Sequence, residues 1–165
     1  MRTFILLAFL CSASFGAPLT FKTEIVTKDK PVLIVTLSNG RKIEAKKAIF
    51  QAEASKLSIK NNVLIIYYEG GARSKWTDVL KLRPDSSSKD MVLIGRTYEI
   101  EDTGGEYPKE RLDANYVIGK VDRVVGKKKR SCSFKSKQIL LSTFDFPNQK
   151  DDYLEELEKA CLVKN

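Results

Sequence analysis

Apolar and polar residues alternate along much of the chain, in short runs that are separated by turn-forming residues. The stretch PVLIVTLSNGRKIEA (31–45) has alternating arms around Asn39-Gly40, and KLSIKNNVLIIYYEGG (56–71) has them around Asn61-Asn62. A period of two places successive side chains on opposite faces of a β-strand, and such asparagine and glycine pairs favour tight turns. Both stretches therefore predict β-hairpins.

The hydrophobic pattern of the first hairpin also predicts its register. A three-residue loop with Gly40 in the left-handed conformation sets Val35 opposite Ile43, whereas a two-residue Asn39-Gly40 loop sets Val35 opposite Glu44. A slip of one residue moves every side chain of a strand to the other face. Because Val35 and Ile43 are both apolar, we expect the three-residue loop.

Further alternating runs fill the middle of the chain. They are KWTDVLKLRP (75–84), MVLIGRTYEIE (91–101), RLDANYVIGKVDRVVG (111–126) and RSCSFKSKQILLSTF (130–144), and the last two predict long strands around a basic turn. The alanine-rich stretch 44–56 permits either helix or strand, and the neighbouring strands favour strand. With about seven to nine strands in all, we expect a mainly β (α+β) fold, an antiparallel sandwich or open barrel.

The C-terminal stretch FPNQKDDYLEELEKACLVK (146–164) has a different period. Leu154, Leu157 and Cys161 recur at the spacing of one helix face, and acidic residues cluster where the first turn would lie. This pattern predicts one helix near residues 149–162, with Cys161 on its apolar side.

The N-terminus has the pattern of a secretory signal peptide. Arg2 precedes an apolar run, residues 4–11, and Ser14 and Gly16 are the small residues of a cleavage site before Ala17. We therefore expect residues 1–16 to be removed during export. No N-x-[ST] glycosylation acceptor is present, which favours the periplasm over an extracellular eukaryotic destination.

Residues 17–165 have the length of a single β-rich domain. Removing the signal peptide takes one of the 29 basic residues and none of the 21 acidic ones, so the net charge falls from +8 to +7. This excess favours an acidic partner, either a protein surface or an anionic envelope. No later stretch approaches the roughly 20 apolar residues of a transmembrane helix, so we expect no transmembrane segment.

Cys132 and Cys161 are the cysteines that remain after such processing. Exported proteins fold in oxidising compartments, where thiols normally pair. We therefore expect a Cys132–Cys161 disulfide, which would staple the apolar face of the C-terminal helix to a strand.

Catalytic chemistry is poorly supported by the residue types. The chain contains no histidine, which excludes Ser-His-Asp and Cys-His systems and nearly all catalytic zinc sites. Ser86 and Lys89 have the spacing of a Ser-Lys dyad but lie in a polar loop, and Glu99, Glu101 and Asp102 alternate as on a solvated strand face. We expect no catalytic residue, no metal and no cofactor.

The run GKKKRSCSFKSK (126–137) contains the candidate binding residues Lys127, Lys128, Lys129 and Arg130. Export excludes a nuclear address and disfavours nucleic acid as a partner. Three readings stay open: a solvated turn that protects a sheet edge, a surface for an acidic protein, and a protease site after Arg130.

Aromatic residues are the second group of binding candidates. A recognition face could be formed by Trp76, Tyr67 and Tyr68 together with Tyr98, Tyr107 and Tyr116, although such residues in β-proteins are often core or cross-strand partners. Adjacent residues point to opposite faces of a strand, so one of Tyr67 and Tyr68 must lie on the less buried side.

The signal sequence followed by β-hairpins, the strand RLDANYVIGKVD and the closing FDFPNQKDDYLEELEKAC resemble small periplasmic proteins of Gram-negative bacteria. That group includes immunity proteins against type VI secretion effectors, and the likeness covers mainly residues 91–161. The resemblance implies a non-enzymatic protein that sequesters a toxin acting on the cell envelope. It carries no functional residue over to this chain.

We therefore expect an exported, non-enzymatic binding or inhibitory module with an acidic protein partner. One alternative is a structural or envelope-associated protein whose basic face binds an anionic surface. Another is a secreted precursor that is cleaved after Arg130.

Overall fold

A computed structural model describes residues 18–27, 31–45, 55–144 and 152–162. Within these ranges the chain forms ten strands and one helix, and every pair of neighbouring strands is antiparallel. The predicted signal peptide and most of the alanine-rich stretch 44–56 lie outside the described residues.

The first three strands form a small sheet in chain order. They are β1 (Phe21–Thr27), β2 (Pro31–Leu37) and β3 (Lys42–Ala45). Val35 is paired with Ile43, and Gly40 has a φ of 83°, so the register that the hydrophobic pattern predicts is confirmed.

The other seven strands form a second sheet, in which each strand pairs with the next along the chain. They are β4 (Ser55–Lys60), β5 (Val63–Gly70), β6 (Ser74–Asp85), β7 (Asp90–Asp102), β8 (Glu110–Asn115), β9 (Lys120–Val125) and β10 (Lys128–Ser133). Asn61 and Asn62 form the β4–β5 turn with φ values of 51° and 59°, as the asparagine pair predicts.

The run 111–126 is not one long strand, which corrects the sequence-based prediction. The side-chain Oδ1 of Asn115 accepts hydrogen bonds from the backbone N–H groups of Val117 and Ile118, at 3.0 and 3.3 Å. Gly119 then takes a φ of 63°, which a glycine adopts without strain. These features reverse the chain between β8 and β9.

The run 130–144 is also shorter as a strand than expected. β10 ends at Ser133, and the chain then returns to the sheet through a single bridge between Leu140 and Val92 of β7. The additional turn in 111–126 and the N-terminal strand β1 bring the described strands to ten, against the seven to nine expected.

The predicted fold class is confirmed: the described part of the chain is mainly β, with two antiparallel sheets, one C-terminal helix and no closed barrel. Buried residues from both sheets and the helix form one hydrophobic cluster. Its largest fully buried apolar members are Leu33, Leu37, Leu64, Ile66, Leu80, Leu82, Met91, Leu112, Leu141 and Leu157. We call the side of the seven-stranded sheet that packs against this cluster the inner face.

The helix α1 (Asp152–Ala160) packs against the core with the apolar side that the helical spacing predicts. Leu157 and Cys161 are buried, and Cys161 forms the expected disulfide with Cys132, with a Cα–Cα distance of 5.6 Å. The bond joins the end of the helix to the edge strand β10. No helix in the described part of the chain has the length and hydropathy needed to cross a membrane.

Candidate functional site

The basic run forms the hairpin that connects β9 to β10. Val125 pairs with Lys128, so Gly126 and Lys127 make a two-residue turn, in which Gly126 has a φ of 57°. The N–H of Gly126 donates a hydrogen bond of 2.9 Å to the carbonyl of Lys109, in the segment just before β8. The turn is thereby tied to the neighbouring loop.

Strand alternation divides the basic residues between two faces of the sheet. Lys129 lies on the outer face, where its Nζ is 2.8 Å from Oδ2 of Asp122. This contact is the main cause of the lowered pKa of the Asp122 carboxyl group. Lys128 and Arg130 alternate with Lys129 and share the inner face with Cys132.

A cavity of about 210 Å³ opens on the inner face between the hairpin and the end of α1. It is lined by Arg123 and Val125 of β9, Lys128 and Arg130 of β10, and Cys161. The disulfide therefore brings the helix end to a wall of the cavity. We call this space the hairpin cavity.

Positive charges lie side by side at this cavity. Arg123 and Arg130 are directly opposite in the β9–β10 register. The Nε of Arg123 donates a hydrogen bond of 2.7 Å to Oε1 of Glu110, so its charge is locally balanced. Among the residues that the structure describes, Lys128 and Arg130 make no ion pair, and their charges are uncompensated.

Glu158 of α1 interacts electrostatically with Glu110 and Arg123. Burial raises the pKa of its carboxyl group, the negative charge of Glu110 raises it further, and Arg123 acts in the opposite direction. Glu158 is not among the residues that line the hairpin cavity.

The aromatic candidates lie away from the hairpin cavity and in different environments. Tyr68 is 3% exposed in the core, where burial raises the pKa of its hydroxyl group. Tyr67 is half-buried on the outer face and donates a hydrogen bond of 3.0 Å to Oε2 of Glu69. Trp76 is half-buried on the inner face, where its ring packs over Gly70 and leaves no room for a Cβ. The structure does not gather these rings into one recognition face.

Sequence reasoning missed Arg123, Val125 and Glu110 as site residues. Counting outward from the Gly126-Lys127 turn would have placed Arg123 opposite Arg130. Tyr107 is one of the aromatic residues that the sequence offered for a recognition face. It is 72% exposed and lies two residues before Lys109, whose carbonyl holds the basic turn.

The Ser86 and Lys89 pair serves as a hairpin turn in the structure. Asp85 accepts hydrogen bonds from the Ser87 hydroxyl group at 2.6 Å and from the Ser88 N–H at 2.8 Å. These bonds lower the pKa of the Asp85 carboxyl group, with the Ser87 bond as the largest cause. Ser86 and Lys89 are exposed on this turn and form no hydrogen bond with each other.

The candidate carboxylates have structural partners. Glu99 and Glu101 both form ion pairs with Lys109. Asp102 accepts backbone hydrogen bonds from the loop that follows it, at 2.9 to 3.2 Å. In the described ranges no three carboxylate or cysteine side chains are grouped so as to hold a metal ion.

The proposed protease site after Arg130 falls inside a paired strand. Arg130 and Ser131 lie in the middle of β10, opposite Arg123 and Asp122, and the disulfide at Cys132 follows. Proteolytic nicking is concentrated at exposed loop tips, so this position disfavours the precursor reading.

No protein-family model, no curated protein and no solved structure matches this chain.

Proposed function

We propose that the chain is an exported, non-enzymatic module that binds an acidic protein through the β9–β10 hairpin. The observation that carries this proposal is the pair of uncompensated charges on Lys128 and Arg130 at the hairpin cavity. Uncompensated cations around a concave site attract a negatively charged surface and increase the rate of encounter.

An exposed aromatic residue extends the proposed surface beyond the charges. Tyr107 is in the loop that holds the basic turn through Lys109. Tyrosine and arginine are enriched among the residues that dominate binding energy at protein interfaces. In this proposal the cations accelerate association, and Tyr107 with Arg130 slows dissociation.

Export is supported by the Cys132–Cys161 disulfide, since such bonds persist in oxidising compartments. The resemblance to periplasmic immunity proteins favours a toxin that acts on the cell envelope as the partner. The module would then inhibit that toxin by covering an acidic part of its surface.

A binding experiment with a matched control tests this proposal. The partner would be captured from the native compartment on the tagged protein, and association rates would be measured at two ionic strengths. We expect Lys128→Gln/Arg130→Gln to slow association several-fold at low salt, and the difference to shrink as the Debye length falls to about 8 Å at physiological salt.

Lys129→Gln is the control for the loss of one positive charge from the same strand, because Lys129 lies on the outer face, where Asp122 already balances it. It should change the association rate much less than the double variant. The proposal would be refuted by a captured partner whose association rate changes neither with salt concentration nor with the double substitution.

A further inference from the structure

We infer that the hairpin cavity is a binding site for one carboxylate group, that of an aspartate or glutamate side chain on the acidic partner. The inference rests on the proposed binding function and adds the recognition chemistry of that site. Arg130 and Lys128 would hold the carboxylate, and Arg123 would lie beside Arg130 on the same face.

The strand register supplies the first argument. Arg123 and Arg130 are direct cross-strand partners on one face, and like charges at such positions destabilise a sheet. Glu110 balances the charge of Arg123 but not that of Arg130, through a contact of 2.7 Å with the Nε of Arg123. An anion next to Arg130 would balance the charge of Arg130. Binding would then add a favourable ion pair and reduce the repulsion between Arg130 and Arg123.

Size and lining supply the second argument. The cavity of about 210 Å³ is smaller than the pockets of about 300–1,000 Å³ that hold drug-sized ligands, so it fits one side chain. Val125 and Cys161 add apolar surface between the cations. That surface would cover the methylene groups of a glutamate or aspartate, a contact that an inorganic anion cannot make.

The disulfide supplies the third argument. Cys132 lies two residues beyond Arg130 on the same face of β10, and its bond to Cys161 joins two walls of the cavity. A site that is rigid before binding loses less conformational entropy when it is occupied. The guanidinium of Arg130 suits the purpose, because its fork of donors can bind both oxygens of a carboxylate.

Nuclear magnetic resonance of the arginine Nε–H groups tests the inference with the intact protein. The probe is N-acetyl-glutamate methylamide, and the uncharged control is N-acetyl-glutamine methylamide. We expect a saturable shift of the Arg130 signal with the glutamate probe alone. Arg130→Gln should abolish the response of the site, which would then be followed at Arg123.

Three further variants separate the hairpin cavity from general charge effects. Lys128→Gln should weaken binding of the glutamate probe by about tenfold or more, through the loss of a charge-assisted hydrogen bond. Lys129→Gln should leave it within about twofold, because surface pairs contribute little. Glu158→Gln should also leave it within about twofold, because Glu158 does not line the cavity.

Each outcome decides between specific alternatives. Equal shifts with both probes, or equal losses in Lys128→Gln and Lys129→Gln, would overturn the inference. Inorganic phosphate that displaces the glutamate probe at lower concentration would make the cavity an inorganic oxyanion site and overturn the carboxylate assignment.

The inference and the proposed function fail in distinguishable ways. A partner whose association depends on Lys128 and Arg130, combined with no response of Arg130 to the probe, would overturn the cavity assignment alone. A clear response of Arg130 to the probe, combined with a partner whose association does not depend on Lys128 and Arg130, would overturn the proposed function alone.

Discussion

At the residue scale, the least expected feature is an ion pair in the core. Arg96 and Asp78 are 2% and 1% exposed, and the guanidinium donates to both carboxylate oxygens at 2.5 to 3.1 Å. The two residues lie on adjacent strands β7 and β6 of the inner face. Burying two charges is costly, so each charge depends on the other.

We expect Arg96→Ala to lower the free energy of unfolding by about 3–5 kcal/mol, because Asp78 would remain as an uncompensated buried charge. Urea denaturation at neutral pH measures this loss. The double variant Asp78→Leu/Arg96→Met should recover most of the stability, since it removes both charges and keeps the volume. Breaking the exposed pair of Lys159 and Glu155 by Lys159→Met is the control and should cost at most about 0.5 kcal/mol.

If Arg96→Ala were no more destabilising than Lys159→Met, water would have to reach Asp78 in the folded state. If the double variant were as unstable as Arg96→Ala, packing rather than charge would explain the loss.

At the element scale, the β9–β10 hairpin and α1 depend on one covalent bond. α1 has nine residues, short for a helix that must be stable by itself. Its buried side chains and the disulfide hold it against the sheet. The same bond fixes the edge strand that presents Arg130.

We expect Cys161→Ser to lower the free energy of unfolding by about 3–4 kcal/mol, the chain-entropy value for a loop closed over a sequence separation of 29 residues. Denaturant titration of the oxidised protein and the variant measures it. Cys132→Ser should give the same loss, and the double variant no more than either, because all three break one bond. An unchanged denaturation midpoint in Cys161→Ser would contradict the prediction.

At the scale of the whole molecule, two sheets and a helix share one core. Leu33 and Val35 of the small sheet belong to the same buried cluster as Leu80 of β6 and Leu157 of α1. Elements that bury each other's apolar surface lose it together, so this arrangement favours unfolding as one cooperative unit.

Hydrogen exchange tests this cooperativity. We expect the amides of Val35 in β2 and Leu80 in β6 to exchange through openings of equal free energy, which should match the global free energy of unfolding from denaturant titration. An opening free energy for β2 well below the global value would mean that the small sheet detaches by itself.

The sequence by itself determined the features that local patterns encode. Alternation and turn residues gave the register of Val35 with Ile43 and the turn at Asn61, because a one-residue slip would expose a whole apolar face. Helical spacing gave the buried side of α1, and the cysteine count with the expectation of export gave the disulfide.

Tertiary structure decided what depends on pairing between strands. In β7, Ile94 has no counterpart on β6, because Lys81 pairs with Gly95 and Leu82 with Leu93. The irregularity shifts the alternation by one residue, so Leu93 and Arg96 both face the core. The pattern of 91–101 alone does not contain this shift, since either face of the run carries apolar residues.

The hairpin cavity has the same origin. Its residues come from β9, from β10 and from the end of a helix almost 30 residues further along the chain. The basic run was visible in the sequence. Alternation, however, places Lys129 beside Asp122 on the outer face and Arg130 beside Arg123 on the inner face. Local patterns set which strands form, whereas the site depends on how β9, β10 and α1 meet, because distant elements supply its charges and its walls.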